Sequence, residues 1–156
     1  MGMYPTKAAG NIYCQCRKAA SLNDVRLRSR EGAAELLGYS VSAVSGWELG
    51  SDRPSSEAVS AMANLYHAPE LRNYYCRSCP LGVNVPEIQT YEIDRIAVMV
   101  LYVINKLYQS KDCFLEIIAD GNITDADKPI LAKIIKNLDE MTQLSINLKY
   151  WAEKNM

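Results

Sequence analysis

A single histidine, His67, stands in 156 residues, and that scarcity is the first restriction on what this chain can do. A catalytic triad plus a metal site would need imidazoles that the sequence does not supply. There is also no nucleophile elbow, no phosphate-cradling glycine loop and no His-Glu-x-x-His motif. The carboxylates keep i, i+3 or i+4 company with lysines, as on solvated helices. A non-enzyme without a cofactor is therefore expected. Long apolar runs are missing too. The longest, Ile96 to Ile104, falls far short of the ~20 residues that a membrane span requires. The stretch MGMYPTKAAG lacks the apolar segment of a secretory signal, so the cytoplasm is the expected compartment. The cysteines number five, an odd count without the spacing of a small disulfide scaffold, which fits a reducing interior.

What is present supports a folded chain. Apolar residues make up 49% and charged residues 22%, enough for a packed core in one ordinary domain or two small ones. The net charge of −1 is unevenly spread. Residues 1–30 hold Lys7, Arg17, Lys18, Arg26, Arg28 and Arg30 against Asp24 alone, whereas residues 81–156 carry an acidic excess. A basic head fits local phosphate contact better than the whole-chain charge does, and the bland reading of the same residues is a solvated basic loop. Apolar spacing follows the 3.6-residue period throughout, with no alternating strand pattern, so an all-α fold is expected.

The most informative stretch is Arg30 to Gly50, REGAAELLGYSVSAVSGWELG. Ala33, Ala34 and Leu37 share one helical face. Gly38 then suits a left-handed C-terminal position. Ser40 is placed to cap a second helix, on which Val44 and Trp47 pack back, and Gly50 closes it. Two short helices joined by a glycine-containing turn form a helix-turn-helix pattern, and the small Ala33 and Ala34 permit close approach.

The AAELLG segment, Val44 three residues before Trp47-Glu48, then Gly50 and Pro54, resembles the lambda-repressor/Cro (Xre) family of bacterial and phage regulators. The likeness runs from about Ile12 to Leu71, and WELGSDRP is its most specific piece. It implies a five-helix DNA-binding domain with the third helix in the major groove. It also implies that Arg17 pairs with Glu48, and that Val41, Ser42, Ser45 and Gly46 face the groove. None of these four can make the bidentate base contacts of arginine, asparagine or glutamine. Arg26, Arg28, Arg30, Ser40 and Arg53 are the expected phosphate contacts. The segment Ser21 to Ser29 departs from the family pattern by its length and is expected to be a surface loop. Two function classes stay open: a sequence-specific, repressor-like regulator of double-stranded DNA, and a protein-interaction module on the same fold that leaves DNA alone.

Around this stretch, Asn11 to Ala20 reads as the first helix. Cys14 and Cys16 lie about 200° apart around its axis, so Cys16 is expected in the core and Cys14 nearer solvent. Pro54 to Glu57 opens a fourth helix with Val59, Met62, Ala63 and Tyr66 inward. Pro69 starts a fifth whose Leu71, Tyr74 and Tyr75 should close the core. The segment LYHAPELRNYYCRSCPLG is similar to a subgroup of Xre-like regulators with a Tyr-Tyr-Cys and a second nearby cysteine. Cys76 and Cys79 could be half a metal site, but the ligand set is incomplete, and structural or incidental thiols are the plainer reading.

Residues 1–80 are thus expected to form the head, 81–90 a linker, and 91–156 a helical segment that dimerises. Tyr91 to Tyr108 reads as a helix that is apolar nearly all round, with Ile93, Ile96, Ala97, Val100, Ile104 and Leu107 on one side and Val98, Leu101 and Tyr102 on the other. A second chain is the simplest cover for it. A short helix over Asp112 to Ala119 follows. Thr124 is expected to cap a long helix to about Lys154, with Leu131, Ile134, Leu138, Met141, Leu148 and Ala152 as its stripe and Ile130, Ile135, Leu144 and Trp151 widening it. Asp120-Gly121-Asn122-Ile123 resembles the middle of an EF-hand loop. Ile118 cannot ligate calcium and Asp127 stands where a bidentate glutamate would, so a helix corner is expected.

Overall fold

The computed structural model describes residues 7–119 and 121–156, and these contain helices and turns but no strand. The elements are α1 (Ile12–Ala20), α2 (Arg30–Leu37), α3 (Val41–Leu49), α4 (Ser56–Leu65), α5 (Glu70–Arg77), α6 (Ile93–Gln109), α7 (Lys111–Ala119) and α8 (Lys128–Asn155), with 3-10 turns at Lys7–Gly10 and Val25–Arg28. The chain divides into two compact units, Met1–Val85 and Pro86–Met156. Met1 to Thr6, read above for a signal segment, and Asp120 of the expected corner lie outside the described residues.

Short polar side chains set the helix starts in the first unit. Asn11, Ser29, Ser40 and Ser55 each accept a backbone N–H two or three residues ahead, at the N-termini of α1, α2, α3 and α4. Gly38 and Gly50 end α2 and α3 in the left-handed region, at φ of 72° and 73°. Ala33, Ala34, Val44, Trp47, Ala58, Val59, Met62, Ala63, Tyr66 and Leu71 form one buried cluster, with Leu37 and Tyr75 packed partly against it. Tyr74 is the exception among the expected core residues. It is 44% exposed and meets Tyr13 edge-on at 5.9 Å.

Two expectations need correction here. Cys14 is buried, as Cys16 is, although they project from different sides of α1. The reason is that α1 is covered from several directions, by both 3-10 turns and by α3. The segment Ser21 to Ser29 is no free surface loop. Asp24 caps a 3-10 turn that drives Leu27, 1% exposed, into the core.

In the second unit α6 packs along α8. Ile96 and Val103 are buried on α6, and Ile134, Leu144 and Tyr150 on α8. The expected stripe of α8 is only partly the buried one: Leu138 and Leu148 are exposed, while Asn137 and Asn147 are buried. One partner helix covers one narrow seam, and the residues at seam spacing are Ile134, Asn137, Met141 and Leu144. Asn147 Oδ1 accepts there from the Gln89 backbone N–H (3.0 Å) and Gln143 Nε2 (3.1 Å).

The start of α8 also differs. Thr124 does not cap it; instead its N–H (2.8 Å) and hydroxyl (2.6 Å) both donate to the Asp127 carboxylate, and the helix begins at Lys128 with Pro129 in its first turn. The stretch 81–90 spans the boundary between the two units. Gly82 is buried, Val85 N–H returns to the Gly82 carbonyl, and Gln143 Nε2 donates to the Glu87 carbonyl. These backbone groups find partners within the unit to which each belongs.

Candidate nucleic-acid interface

Glu48, 1% exposed at the end of α3, is the residue around which the first unit's polar interior is arranged. Arg17 of α1 grips it twice, through Nε to Oε1 at 2.5 Å and Nη2 to Oε2 at 3.0 Å. Arg30 of α2 donates Nε to Oε2 at 2.8 Å. Arg17 Nη1 also donates to the carbonyls of Leu27 (2.8 Å) and Arg28 (3.1 Å), which moors the 3-10 turn. One carboxylate thereby joins α1, α2 and α3. Burial alone would push the Glu48 carboxyl up; the hydrogen bonds and charges of Arg17 and Arg30 outweigh it and hold the group below its ordinary range. The hydrogen bond to Glu48 raises Arg17 in turn, and burial pushes the Cys14 thiol up, with Glu48 adding to the effect.

This brace fixes how α3 presents its outer face. Ser40, Val41 and Ser42 are exposed and Ser45 is half-buried. Val41, Ser42, Ser45 and Leu49 fall within about 100° around the helix axis, and Leu49 is 45% exposed. Leu49 belongs to this face although the motif did not point to it; its i+4 spacing from Ser45 is the signal that finds it. Gly46 does not belong. It is buried beneath the turn after α3, and a side chain there would run into the Asp52 carboxylate. Its carbonyl is engaged from the same side, accepting the N–H groups of Gly50, Ser51 and Asp52. The candidate readout face is therefore Val41, Ser42 and Ser45, with Leu49 at its far end. Tyr39, in the turn before α3, meets Trp47 edge-on at 5.1 Å and so anchors that turn.

The basic residues are held to different degrees. Arg26 is exposed and folds back on Asp24 at 2.7 Å, and the Asp24 carboxyl is lowered chiefly by that hydrogen bond. Arg28 is exposed, and its side chain meets no carboxylate among the described residues. Arg30 is committed through Nε to Glu48 yet keeps 30% of its side chain exposed. Arg53 lies over the Tyr75 ring, 4.8 Å from its centroid, and donates Nη2 to Ser78 Oγ at 3.2 Å. A cation–π contact and one hydrogen bond leave the rest of its guanidinium fork open. Ser40 spends its oxygen as an acceptor for the Ala43 N–H (3.1 Å), so its hydroxyl hydrogen remains for an incoming acceptor.

Cys76, in the last turn of α5, is exposed, and Cys79, just beyond the helix, is half-buried. Among the described residues no three His, Cys, Asp or Glu side chains gather as a metal site would require. His67, in the turn between α4 and α5, is exposed at φ 50° and stands apart from them in the chain.

Residues 15–73 match a family model described as a helix-turn-helix domain. No curated protein and no solved structure matches the chain. The matched span runs from within α1 to within α5 and contains the whole α2–turn–α3 unit, so the N-terminal unit carries a helix-turn-helix domain, the type of module with which proteins bind DNA. No described helix is long and apolar enough to cross a membrane.

Proposed function

We propose that this protein is a sequence-specific, repressor-like transcriptional regulator of double-stranded DNA, of the lambda-repressor/Cro (Xre) type, with α3 entering the major groove. The observation that carries the reading is the exposed N-terminal face of α3, presented by a helix-turn-helix unit that a buried three-helix ion pair holds rigid. Val41 can touch a thymine methyl, and the hydroxyls of Ser42 and Ser45 can each form a single hydrogen bond to a base edge. No bidentate reader is present on this face. Affinity then comes mainly from phosphate contacts by Arg26, Arg28, Arg30, Ser40 and Arg53, and selectivity in part from DNA shape.

The second unit, 86–156, serves in this proposal to pair two copies. Val98, Leu101, Tyr102 and Tyr108 on α6, and Phe114, Leu115 and Ile118 on α7, are exposed. So large an apolar surface on one small unit marks an interaction face, and a second copy is its simplest occupant. Two heads held in this way would engage half-sites ~34 Å apart, one turn of duplex.

The second reading, a protein-interaction module, draws its support from the same face of α3. Val41 and Leu49 are apolar and exposed, and neither reads a base pair uniquely. Titrating the whole chain against duplex DNA at several salt concentrations separates the two. Binding whose logarithm falls linearly with log salt supports the regulator; no duplex binding at ~50 mM salt favours the interaction module.

A further inference from the structure

Cys76 and Cys79, unused by the DNA-binding reading, lie beside one of its phosphate contacts. Both are free thiols, Cys76 exposed in the last turn of α5 and Cys79 half-buried just beyond it. The Cys79 N–H donates to the Cys76 carbonyl at 3.1 Å, an i→i+3 turn. Side chains three apart in such a turn eclipse one another, and the Cα atoms lie within ~7 Å, close to the reach of a disulfide. The backbone thus holds the two thiols on the same side of one turn.

The same turn holds Arg53. Its guanidinium lies over the Tyr75 ring, 4.8 Å from the centroid, and Nη2 donates to Ser78 Oγ at 3.2 Å. Ser78 Oγ in turn donates to the Tyr75 carbonyl at 2.8 Å. Tyr75 precedes Cys76 and Ser78 precedes Cys79, so each mooring of Arg53 is a chain neighbour of a thiol. Closing a disulfide would bring the two Cβ atoms from the roughly 5–6 Å of helical neighbours to about 3.5–4.5 Å. The ends of the turn are hemmed in by buried Gly82. Its N–H donates to the Cys79 carbonyl at 2.8 Å, and a Cβ on it would run into the Cys76 carbonyl. The contraction therefore falls on Arg77 and Ser78, and a hydrogen bond already 3.2 Å long is the first contact to break.

We infer that Cys76 and Cys79 form a reversible intrachain disulfide, made by exchange with a small-molecule disulfide, that unmoors Arg53 and lowers duplex affinity. The exposed Cys76 thiolate attacks the small disulfide, forms a mixed disulfide and expels one thiolate. The Cys79 thiolate then attacks the Cys76 sulfur and expels the second. Two protein thiols are oxidised, one external disulfide is reduced to two thiols, and the two protons pass through solvent to the released thiolates. Excess small thiol reverses both steps. The effect on affinity rests on the regulator reading; the disulfide and its effect on Arg53 do not.

The test equilibrates the full-length chain with oxidised or reduced glutathione, blocks the remaining thiols by alkylation and maps the peptides by mass spectrometry. Oxidation should join Cys76 to Cys79, while exposed Cys113 stops at the mixed disulfide and buried Cys14 and Cys16 stay reduced. Cys76 and Cys79 ending as reduced thiols or mixed disulfides would overturn the switch. The Arg53 Nε–H resonance of ¹⁵N-labelled protein should move on oxidation of the wild type and stay in place in Cys76→Ser/Cys79→Ser. If it stays in place in both, the disulfide does not reach Arg53, which equally overturns the switch. At fixed salt the oxidised wild type should bind duplex roughly two- to tenfold more weakly than the reduced form, the worth of ordering one long side chain. The double serine variant should bind like the reduced wild type in either buffer, and Arg53→Ala should bind more weakly and equally in both. Equal affinity of the two wild-type forms, or a redox response that survives Arg53→Ala, overturns the regulation. So does loss of helix on oxidation in circular dichroism, since unfolding would then account for the weaker binding. If the reduced wild type binds no duplex at ~50 mM salt, where phosphate attraction is strong, the regulator reading has failed. The peptide map and the Arg53 resonance then decide the switch by themselves.

Discussion

Glu48 accepts from arginines of two other helices, Oε1 from Arg17 and Oε2 from both Arg17 and Arg30, which makes it the residue whose loss the head should feel most. Removing one partner of a buried, hydrogen-bonded ion pair costs about 3–5 kcal/mol, because the remaining charges are stranded. Glu48→Ala should lower stability by that amount in urea unfolding monitored at Trp47. Its pH dependence has a definite sign. The folded-state pKa is depressed, so the contribution of Glu48 is complete above the unfolded carboxylate value of about 4.3 and is lost as pH falls through the folded value. Wild-type stability should therefore drop on acidification in that window, and Glu48→Gln should start lower but fall less steeply. Arg53 stands at the other extreme, exposed and held by one ring and one hydroxyl. On the regulator reading Arg53→Ala should weaken binding to all duplexes alike and flatten the salt slope by about one unit. Ser42→Ala should cost less overall and shift preference at one base position.

At the scale of elements, the connection between α1 and α2 is a packed part of the first unit. Leu27 fills the core from the 3-10 turn at Val25–Arg28, and Arg17 holds the turn by two carbonyls. The first residues of α2 come so close that a Cβ at Gly32 would run into the backbone carbonyl of Arg26. Backbone cannot step aside as a side-chain tip can. Gly32→Ala, normally favourable within a helix, should here destabilise the head by about 1–3 kcal/mol through overpacking. Leu27→Ala should cost about 2–5 kcal/mol by leaving a cavity. Thermal unfolding of both variants checks the pair. A Gly32→Ala protein as stable as the wild type would show that the turn can move freely.

For the whole molecule, the two compact units invite separation. The first has its own apolar cluster and ion-pair interior, and the second its own α6–α8 seam. If the exposed faces of α6 and α7 pair two copies, the full chain should sediment as a dimer at tens of micromolar. A truncated chain ending at residue 86 should be monomeric, folded, and weaker in DNA binding, since it loses the second half-site. A monomeric full-length chain would refute the pairing. An unfolded truncated head would refute the independence of the two units.

By itself the sequence determined the helices of the first unit, the Ser29 and Ser40 caps and the helix-turn-helix, because these depend on local chemistry. Ser40 and Gly38 act on backbone groups within a few residues, and the apolar period of Val44 and Trp47 is written along one helix. The pairing of Arg17 with Glu48, 31 residues apart, was legible only through family likeness, and it is present. Tertiary structure alone decided which faces were covered. Gly46 lies at groove-facing spacing, yet the turn after α3 folds over it; Cys14 lies opposite Cys16, yet both are buried because α1 has neighbours on more than one side. In α8, Leu138 and Leu148 are as apolar as Leu144, and Asn137 lies outside the expected stripe. Which of them became interior was set by where α6 lies, a matter of long-range packing that no local pattern carries.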